Sequence, residues 1–289
     1  MILSEALQSV TRTLSRAKIA DASAEAEVLL GHVMGMSKTG LYTEPERRLT
    51  SAETECLRHH VRRRLDREPA AHILGHCEFY GIDFYVESHT LIPRPETELL
   101  VETAVELAGR ISGQGEQITT ADIGTGCGAI AISLALALPQ AKIYATDISP
   151  LALKVAEVNC RRHEVTGQVE LLQGNLIEPL PGAVDLIVAN LPYVKDREFV
   201  DLSPEIREYE PAIALAGGKD GLDKIREMLE QMRWKGDVDL DRWPAYVLLE
   251  IGQEQAEMVI SLVNEYFPQA SIELIPDLGG IERVAKVRL

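Results

Sequence analysis

The chain has 289 residues, 46% of them hydrophobic and 26% charged, which is enough globular sequence for one large domain or two modest ones. A formal net charge of -16 argues against tight binding to bare nucleic acid, which requires clustered Lys and Arg to replace counterions. No apolar run approaches the roughly 20 residues that span a bilayer, and the four cysteines form no Cys-x-x-Cys pair, so neither a membrane protein nor a zinc site is expected.

The N-terminus, Met1-Ile2-Leu3-Ser4-Glu5, lacks a basic stretch followed by a long apolar one, so no signal peptide is expected, and the scattered cysteines give a reducing, cytoplasmic setting as the expectation. Residues 1 to about 75 read as helices. Ile2, Ala6, Leu7, Val10 and Leu14 recur at helical spacing, and a second helix is expected from near Ser23 through Ala26, Leu29, Leu30 and Val33. A third is expected over Ser51–Arg67, with Ser51 as N-cap. It carries Arg58, Arg62, Arg63, Arg64 and Arg67, which read first as a solvated face and second as a contact for an acidic partner. His59 and His60 fall on the same helix and are expected to be exposed, and no histidine joins a metal-ligand cluster.

Residues 78–87 look like a β-hairpin with Gly81 near its turn, and a helix is expected from Glu96 to about Arg110, ended by Ser112-Gly113-Gln114-Gly115. A domain boundary is placed at 75–90. Beyond 117 the pattern alternates strands (118–123, 142–146, 169–173, 184–189, 245–251) with helices (128–137, 150–163, 219–233, 253–266). Such alternation implies a parallel sheet covered on both faces. Two final strands, 271–276 and 283–288, flank Asp277-Leu278-Gly279-Gly280 closely enough for an antiparallel hairpin.

The first of these strands runs into Asp122-Ile123-Gly124-Thr125-Gly126-Cys127-Gly128. Glycines there let the backbone turn sharply and a ligand approach, and in a doubly wound sheet this turn borders the ligand crevice. A lone Gly-x-Gly-x-Gly is weak evidence. Asp147, at the end of the second strand, adds to it, because an acid there can accept hydrogen bonds from both ribose hydroxyls of an adenosine. Asp122 would hold the loop or a cationic ligand group and would sit poorly beside a pyrophosphate, which favours S-adenosylmethionine over a dinucleotide.

The fourth strand ends in Asn190-Leu191-Pro192-Tyr193. An amide or exocyclic nitrogen is a poor nucleophile because its lone pair is delocalised. The Asn190 side-chain carbonyl and the Leu191 backbone carbonyl can each accept one N–H of such a group, orienting it and concentrating electron density on nitrogen. Pro192 restricts Leu191 to extended geometry, and Tyr193 offers a flat face. These residues form a candidate site for methylating a planar nitrogen.

The same residues resemble the peptide chain release factor N5-glutamine methyltransferase family, and the resemblance runs almost the whole length. Glu68-Pro69, Ile73-Leu74-Gly75, Glu78-Phe79-Tyr80-Gly81, Ile92-Pro93-Arg94-Pro95-Glu96-Thr97-Glu98, Glu210-Pro211, Gly217-Gly218-x-Asp220-Gly221-Leu222 and Glu250-Ile251-Gly252 all fit its pattern. The resemblance implies a small helical substrate-recognition domain (1–75), a β-hairpin linker (76–95), and an α/β, Rossmann-like class I methyltransferase domain (96–289) whose mostly parallel sheet ends in an antiparallel hairpin. It implies S-adenosyl-L-methionine as cofactor, bound by Gly124, Thr125, Gly126, Cys127, Gly128, Asp147, Asn175, Leu176 and Asn190. It implies a glutamine held by Asn190, Leu191, Pro192 and Tyr193, of which Asn190, Pro192 and Tyr193 would be catalytic. The implied partner is a class I peptide chain release factor, methylated at the Gly-Gly-Gln glutamine by a monomeric, cytoplasmic enzyme without metal or direct nucleic-acid contact. Thr97 and Glu98 would lie near the cofactor.

The sequence departs from the pattern in three places. Leu191 stands where the family usually has a first proline, and Asn-Leu-Pro-Tyr is also similar to the motif of ribosomal RNA adenine dimethyltransferases. Adenine in RNA or DNA, or a glutamine in a ribosomal protein, therefore stay open as acceptors. Asn175-Leu176 replaces an acid followed by a bulkier residue. The segment 235–244 lacks the usual Pro-Gly-Gly turn and is expected to form a surface loop.

Overall fold

A computed structural model describes residues 1–111, 117–236 and 244–289, without the side chains of 235 and 236. The expected end of the helix at 112–115 and most of the expected loop at 235–244 lie outside those residues. The described chain divides into two compact units, Met1–His76 with Ser203–Tyr209, and Cys77–Leu202 with Glu210–Leu289.

The first unit is helical: α1 (Leu3–Arg16), α2 (Ala22–Met34), α3 (Lys38–Thr43), α4 (Ser51–Leu65) and α5 (Ala70–Leu74). Leu3, Ala6, Val10 and Leu14 form the buried stripe of α1 and pack with Ala26, Leu29, Leu30, Leu57 and Ile73 into one core. The N-cap of α4 is Thr50 and not Ser51. The Thr50 hydroxyl accepts from the Glu53 N–H (3.1 Å) and the Glu53 carboxylate accepts from the Thr50 N–H (2.7 Å), a reciprocal capping box one residue earlier than expected.

The arginines of α4 are not a uniformly solvated face. Leu57, His60 and Arg64 share its buried side, so His60 is not exposed as expected. The Arg64 guanidinium, 4% exposed, pairs with Glu25 and, at 3.0 Å, with Glu205. Arg67 also reaches Glu205, at 3.2 Å, and donates to the Ala17 carbonyl at 2.8 Å. The acidic partner is thus within the chain, and part of it comes from the short helix Pro204–Tyr209, whose Tyr209 hydroxyl donates to the Asp66 carbonyl (2.6 Å).

The second unit opens with a hairpin, β1 (His76–Phe79) and β2 (Ile82–Tyr85). Its two-residue turn, Tyr80-Gly81, has both φ angles positive (54° and 69°), the form whose twist matches a hairpin. Phe79 and Phe84 are buried edge to face with centroids 6.1 Å apart. A 3-10 turn, Pro95–Thr97, precedes α6 (Glu98–Ile111), two residues later than the expected start.

The central sheet comprises β3 (Thr119–Ile123), β4 (Lys142–Asp147), β5 (Val169–Gln173), β6 (Leu186–Ala189), β7 (Tyr246–Glu250), β8 (Ser271–Pro276) and β9 (Glu282–Arg288). Their order is β5-β4-β3-β6-β7-β9-β8, parallel through β7 and antiparallel beyond. Thus β9 inserts between β7 and β8 and does not simply extend the sheet. Its Val284, Ala285 and Val287 are buried, as an interior strand requires, while β8 alternates exposed and half-buried positions as an edge. The helices α7 (Ala129–Ala137), α8 (Pro150–Arg162), α10 (Asp223–Gly236) and α11 (Ala256–Tyr266) cover the sheet; the helix at 204–209 is α9. Strand order reverses between β3 and β6. That is the position at which open parallel sheets bind ligands beyond the strands' carboxyl ends.

Candidate active site

The loop after β3 is shaped by its glycines. Gly124, Gly126 and Gly128 have φ of 76°, 57° and 86°, which an L side chain resists. The N–H groups of Gly124 and Thr125 both donate to the Thr146 carbonyl (2.9 Å each), folding the loop back over β4. Asp122 holds it from beneath. Its Oδ2 accepts from the Thr125 hydroxyl (2.6 Å) and the Ala131 N–H (3.1 Å), and its Oδ1 has no partner among the described residues. Complete burial, opposed by those two bonds and reinforced by the charge of Asp147, pushes its pKa up to about 7.

Asp147 ends β4 with its carboxylate clamped between two backbone N–H groups, Gly126 (2.9 Å) and Ser149 (2.8 Å). Burial raises its pKa, against the pull of those bonds. A carboxylate has about four lone-pair sites, so capacity remains for ligand hydroxyls. Gly124, Gly126 and Asp147 line one cavity together with Asn175, Leu176, Asn190, Leu191 and Pro192. His89, Leu91, Pro211 and Ile213 also face it.

Thr97, Glu98 and Asp122 do not line this cavity, and Glu98 instead accepts from the Tyr80 N–H (2.8 Å); nor do four of the residues implied for cofactor or glutamine. Thr125 is turned inward to Asp122. Cys127 is buried, its thiol pushed up to about 12, and its carbonyl accepts from Asn159 (2.9 Å). Gly128 caps α7 against Ile132 and Ala156. Tyr193 lies behind the strand end beside Gly252, with burial raising its hydroxyl to about 12. Asn175 does face the cavity. Its side-chain nitrogen donates to Glu227 (2.6 Å), which leaves its carbonyl oxygen to act as acceptor.

The tetrapeptide rests on a bed of backbone. Val194 N–H donates to the Leu215 carbonyl (2.9 Å) and Gly217 N–H to the Val194 carbonyl (2.8 Å). A Cβ at Gly217 would sit 2.7 Å from the Pro192 carbonyl oxygen and 2.8 Å from Tyr193 Cα, so only glycine fits beneath this turn. Gln255, 1% exposed, donates to the Tyr193 carbonyl (3.0 Å) and accepts from the Gly252 N–H (2.8 Å). The Leu191 side chain is buried and would meet a Cβ at Gly124 at 3.4 Å. The glycine loop and the tetrapeptide therefore follow neighbouring strand ends and line one cavity.

The family pattern marked Thr97, Glu210 and Glu250 in the sequence, but not the partners they hold. Glu210 accepts from the Ile92 N–H (3.1 Å) and pairs with Arg94, closing the segment before α6 onto the segment after the tetrapeptide. Asn190 Nδ2 donates to the Thr97 hydroxyl oxygen at 3.0 Å. Glu250, at the end of β7, is 3% exposed; burial raises its pKa to about 7, against the pull of Thr97 and Asn190, and its Oε2 has no partner among the described residues. Only the buried ends of β6 and β7, read together in three dimensions, bring these groups to one place.

Residues 5–75 match the PrmC N-terminal domain and residues 96–206 the Methyltransferase small domain. The catalytic domain of hMettl16, solved with a MAT2A 3'UTR hairpin, superposes with a TM-score of 0.58 at 15% identity over 76% of this chain and 80% of that one. The N-terminal domain of human METTL16, solved with SAH, gives 0.50 at 16% over 72% and 76%. At such identities the likeness is one of fold. Fold and matched domain define a Rossmann-like, S-adenosylmethionine-dependent methyltransferase.

The full-length relatives narrow the class. A release factor glutamine methyltransferase of Moorella thermoacetica is 38% identical over 98% of this chain and 97% of its own. One from Koribacter versatilis is 37% identical over 98% and 97%, and one from Bacillus anthracis 34% over 89% and 89%. The chain belongs to the release factor glutamine methyltransferase family. No helix among the described residues is long and apolar enough to cross a membrane, and no cluster of three or more His, Cys, Asp or Glu there could hold a metal.

Proposed function

We propose that this protein transfers a methyl group from S-adenosyl-L-methionine to the side-chain amide nitrogen of the Gly-Gly-Gln glutamine of a class I peptide chain release factor. The observation that carries the reading is that the glycine loop and Asn190-Leu191-Pro192 line one cavity. The cavity suits the cofactor. A Cβ at Gly126 would meet nothing within 4 Å, so open space adjoins the loop backbone, and Asp147 offers acceptors beside it. Gly124, Gly126, Asp147, Asn175 and Leu176 would hold it, with Thr125, Cys127 and Gly128 shaping the loop from behind. The cofactor supplies an electrophilic methyl on a cationic sulfur.

The protein's own contribution is orientation. Asn190 Oδ1 and the Leu191 carbonyl accept the two N–H groups of the glutamine amide, aim its nitrogen and favour the charge it acquires on attack. No base acts before transfer, because attack forms a cationic N-methylated amide, a strong acid that loses its proton afterwards to give the neutral product. Leu191 does not disturb this arrangement. Its side chain points into the core, and the group that matters is its carbonyl. Pro192 fixes the backbone there, and Tyr193 acts from behind as a wedge. The helical unit serves substrate recognition, and the setting is cytoplasmic.

The test uses labelled cofactor with a release factor, its Gly-Gly-Ala variant, ribosomal proteins and RNA in parallel. Label is expected on the release factor alone and lost in the Gly-Gly-Ala variant; label that persists there refutes the assignment. Asn190→Ala is expected to abolish transfer while keeping cofactor affinity within a few-fold.

A further inference from the structure

The tetrapeptide can hold an amide only if Asn190 presents its oxygen and not its NH2 to the acceptor. The two ends of a carboxamide are nearly the same size, so packing alone does not choose between them. Hydrogen-bond direction does. We propose that Thr97 and Glu250 form a polarity lock that fixes Asn190 with its carbonyl oxygen free for the acceptor amide. The inference rests on the reading above that Asn190 accepts an N–H of the substrate.

Three groups set the direction. Glu250 closes β7 and is buried, and as a carboxylate it only accepts. Thr97, 4% exposed in the turn before α6, has one hydroxyl proton, and the Glu250 carboxylate is the acceptor it would serve, as the downward pull of Thr97 on the Glu250 pKa indicates. Its oxygen must then accept, and the donor it meets is Asn190 Nδ2 at 3.0 Å. Glu250 also takes a bond from Asn190 itself. Both acceptors draw the NH2 end inward, and Oδ1 is left for the substrate. Turned over, Asn190 would set its oxygen against a carboxylate and its N–H groups against the donors of the substrate. Glu250 is the root of the direction, because it is the only member that lacks a donor.

Protonation would release the lock. A neutral Glu250 carries a proton that it can donate to Thr97, whose own proton is then free to reach Asn190 Oδ1. The charged and titratable groups around Glu250 are Glu96, which raises its pKa, Arg283, which lowers it, and the Tyr193 hydroxyl. With the carboxyl near 7, the lock engages as pH rises through neutrality.

The experiment compares wild type, Thr97→Val, Glu250→Ala and Glu250→Gln for kcat, KM and cofactor affinity from pH 5.5 to 9. Thr97→Val and Glu250→Ala are expected to lower kcat about 10- to 100-fold, the scale of one misdirected polar group at a reacting centre. KM for the release factor and cofactor affinity should change by less than about 3-fold. The Thr97→Val/Glu250→Ala double variant should be no worse than either single one, because the residues act as a unit. Wild-type kcat should fall below pH 7. Glu250→Gln, whose amide brings a donor and does not ionise, should lower kcat to about the level of Glu250→Ala and lose that fall. A purely structural role predicts parallel pH profiles, and finding them overturns the lock. So does full kcat in Thr97→Val. A second readout needs no substrate. The Asn190 side-chain amide, assigned in 15N spectra by its loss in Asn190→Asp, should shift as wild type crosses pH 7 and stay still in Glu250→Gln. If both forms behave alike, the lock is wrong; if the shift appears but no release factor is methylated, the acceptor assignment fails and the lock stands.

Discussion

Asp122→Asn tests whether the fold beneath the glycine loop carries an electrostatic cost. Asp122 is fully buried and its pKa stands at about 7 in place of 3.8. The folded-state pKa is raised, so the group favours folding most at pH below 3.8, and that advantage is lost as pH climbs from 3.8 through 7. A tenfold change in an ionisation constant corresponds to about 1.4 kcal/mol, so full ionisation costs roughly 4 kcal/mol. Between pH 6 and 8.5 the wild type should lose roughly 1.4 kcal/mol from this residue alone. Asparagine keeps an acceptor for Thr125 and Ala131 and has nothing to ionise. Its own constant penalty for an unpartnered amide, about 1–3 kcal/mol, does not vary with pH. The stability of Asp122→Asn relative to wild type should therefore improve by roughly 1.4 kcal/mol from pH 6 to pH 8.5, or about 3–6 °C in the melting transition of the methyltransferase unit. Calorimetry of both proteins at the two pH values measures it. Taking the difference cancels other titrating groups, including His32 and His60, whose burial lowers their pKa. A constant offset between the proteins would show that Asp122 does not titrate near neutrality.

Three further outcomes follow from other parts of the molecule. Gly217→Ala forces a methyl against the Pro192 carbonyl and Tyr193 Cα, so a loss of about 2–4 kcal/mol in chemical unfolding is expected, with activity falling more than cofactor binding. Arg64→Ala leaves Glu25 and Glu205 without their shared cation and should cost the helical unit about 3 kcal/mol by urea titration, most of it absent in Arg64→Met/Glu205→Gln. Asp147→Ala removes the acceptors beside Gly126; calorimetric titration should show cofactor affinity falling at least about 10-fold, and unchanged affinity would refute its role.

The parts of the site legible in the sequence are those whose chemistry is local. Gly124 to Gly128 and Asn190 to Tyr193 each announce themselves within a few residues, because backbone freedom and a strand end are short-range properties. Asp147 was legible because a strand-loop-helix-strand unit fixes its distance from the loop. Gln255 was not, and Thr97, Glu210 and Glu250 were marked only by family pattern without the groups they hold, because each acts on a partner far along the chain, and which strand ends meet is decided by sheet order. The insertion of β9 between β7 and β8 was hidden for the same reason: turn length shows that two strands pair, but not which of them faces the rest of the sheet. On α4, the spacing of Leu57, His60 and Arg64 did mark a buried stripe. The charge of Arg64 masked it, since only the distant Glu25 and Glu205 make burial of that guanidinium tolerable. Thr50 was passed over for Ser51 although Glu53 stood in register for it.

The passage of the chain out of the methyltransferase unit at Ser203 and back into it at Glu210 means that the helical unit is not a removable leader. Cutting the polypeptide at residue 76 would strand Glu205 without Arg64 and Arg67, and the Tyr209 hydroxyl without the Asp66 carbonyl. The seven residues left behind directly follow the stretch that carries Asn190 to Tyr193 and directly precede Glu210, which anchors Ile92 and Arg94. Gene fusions, truncations or domain exchanges of this chain therefore need to carry both pieces of the helical unit together.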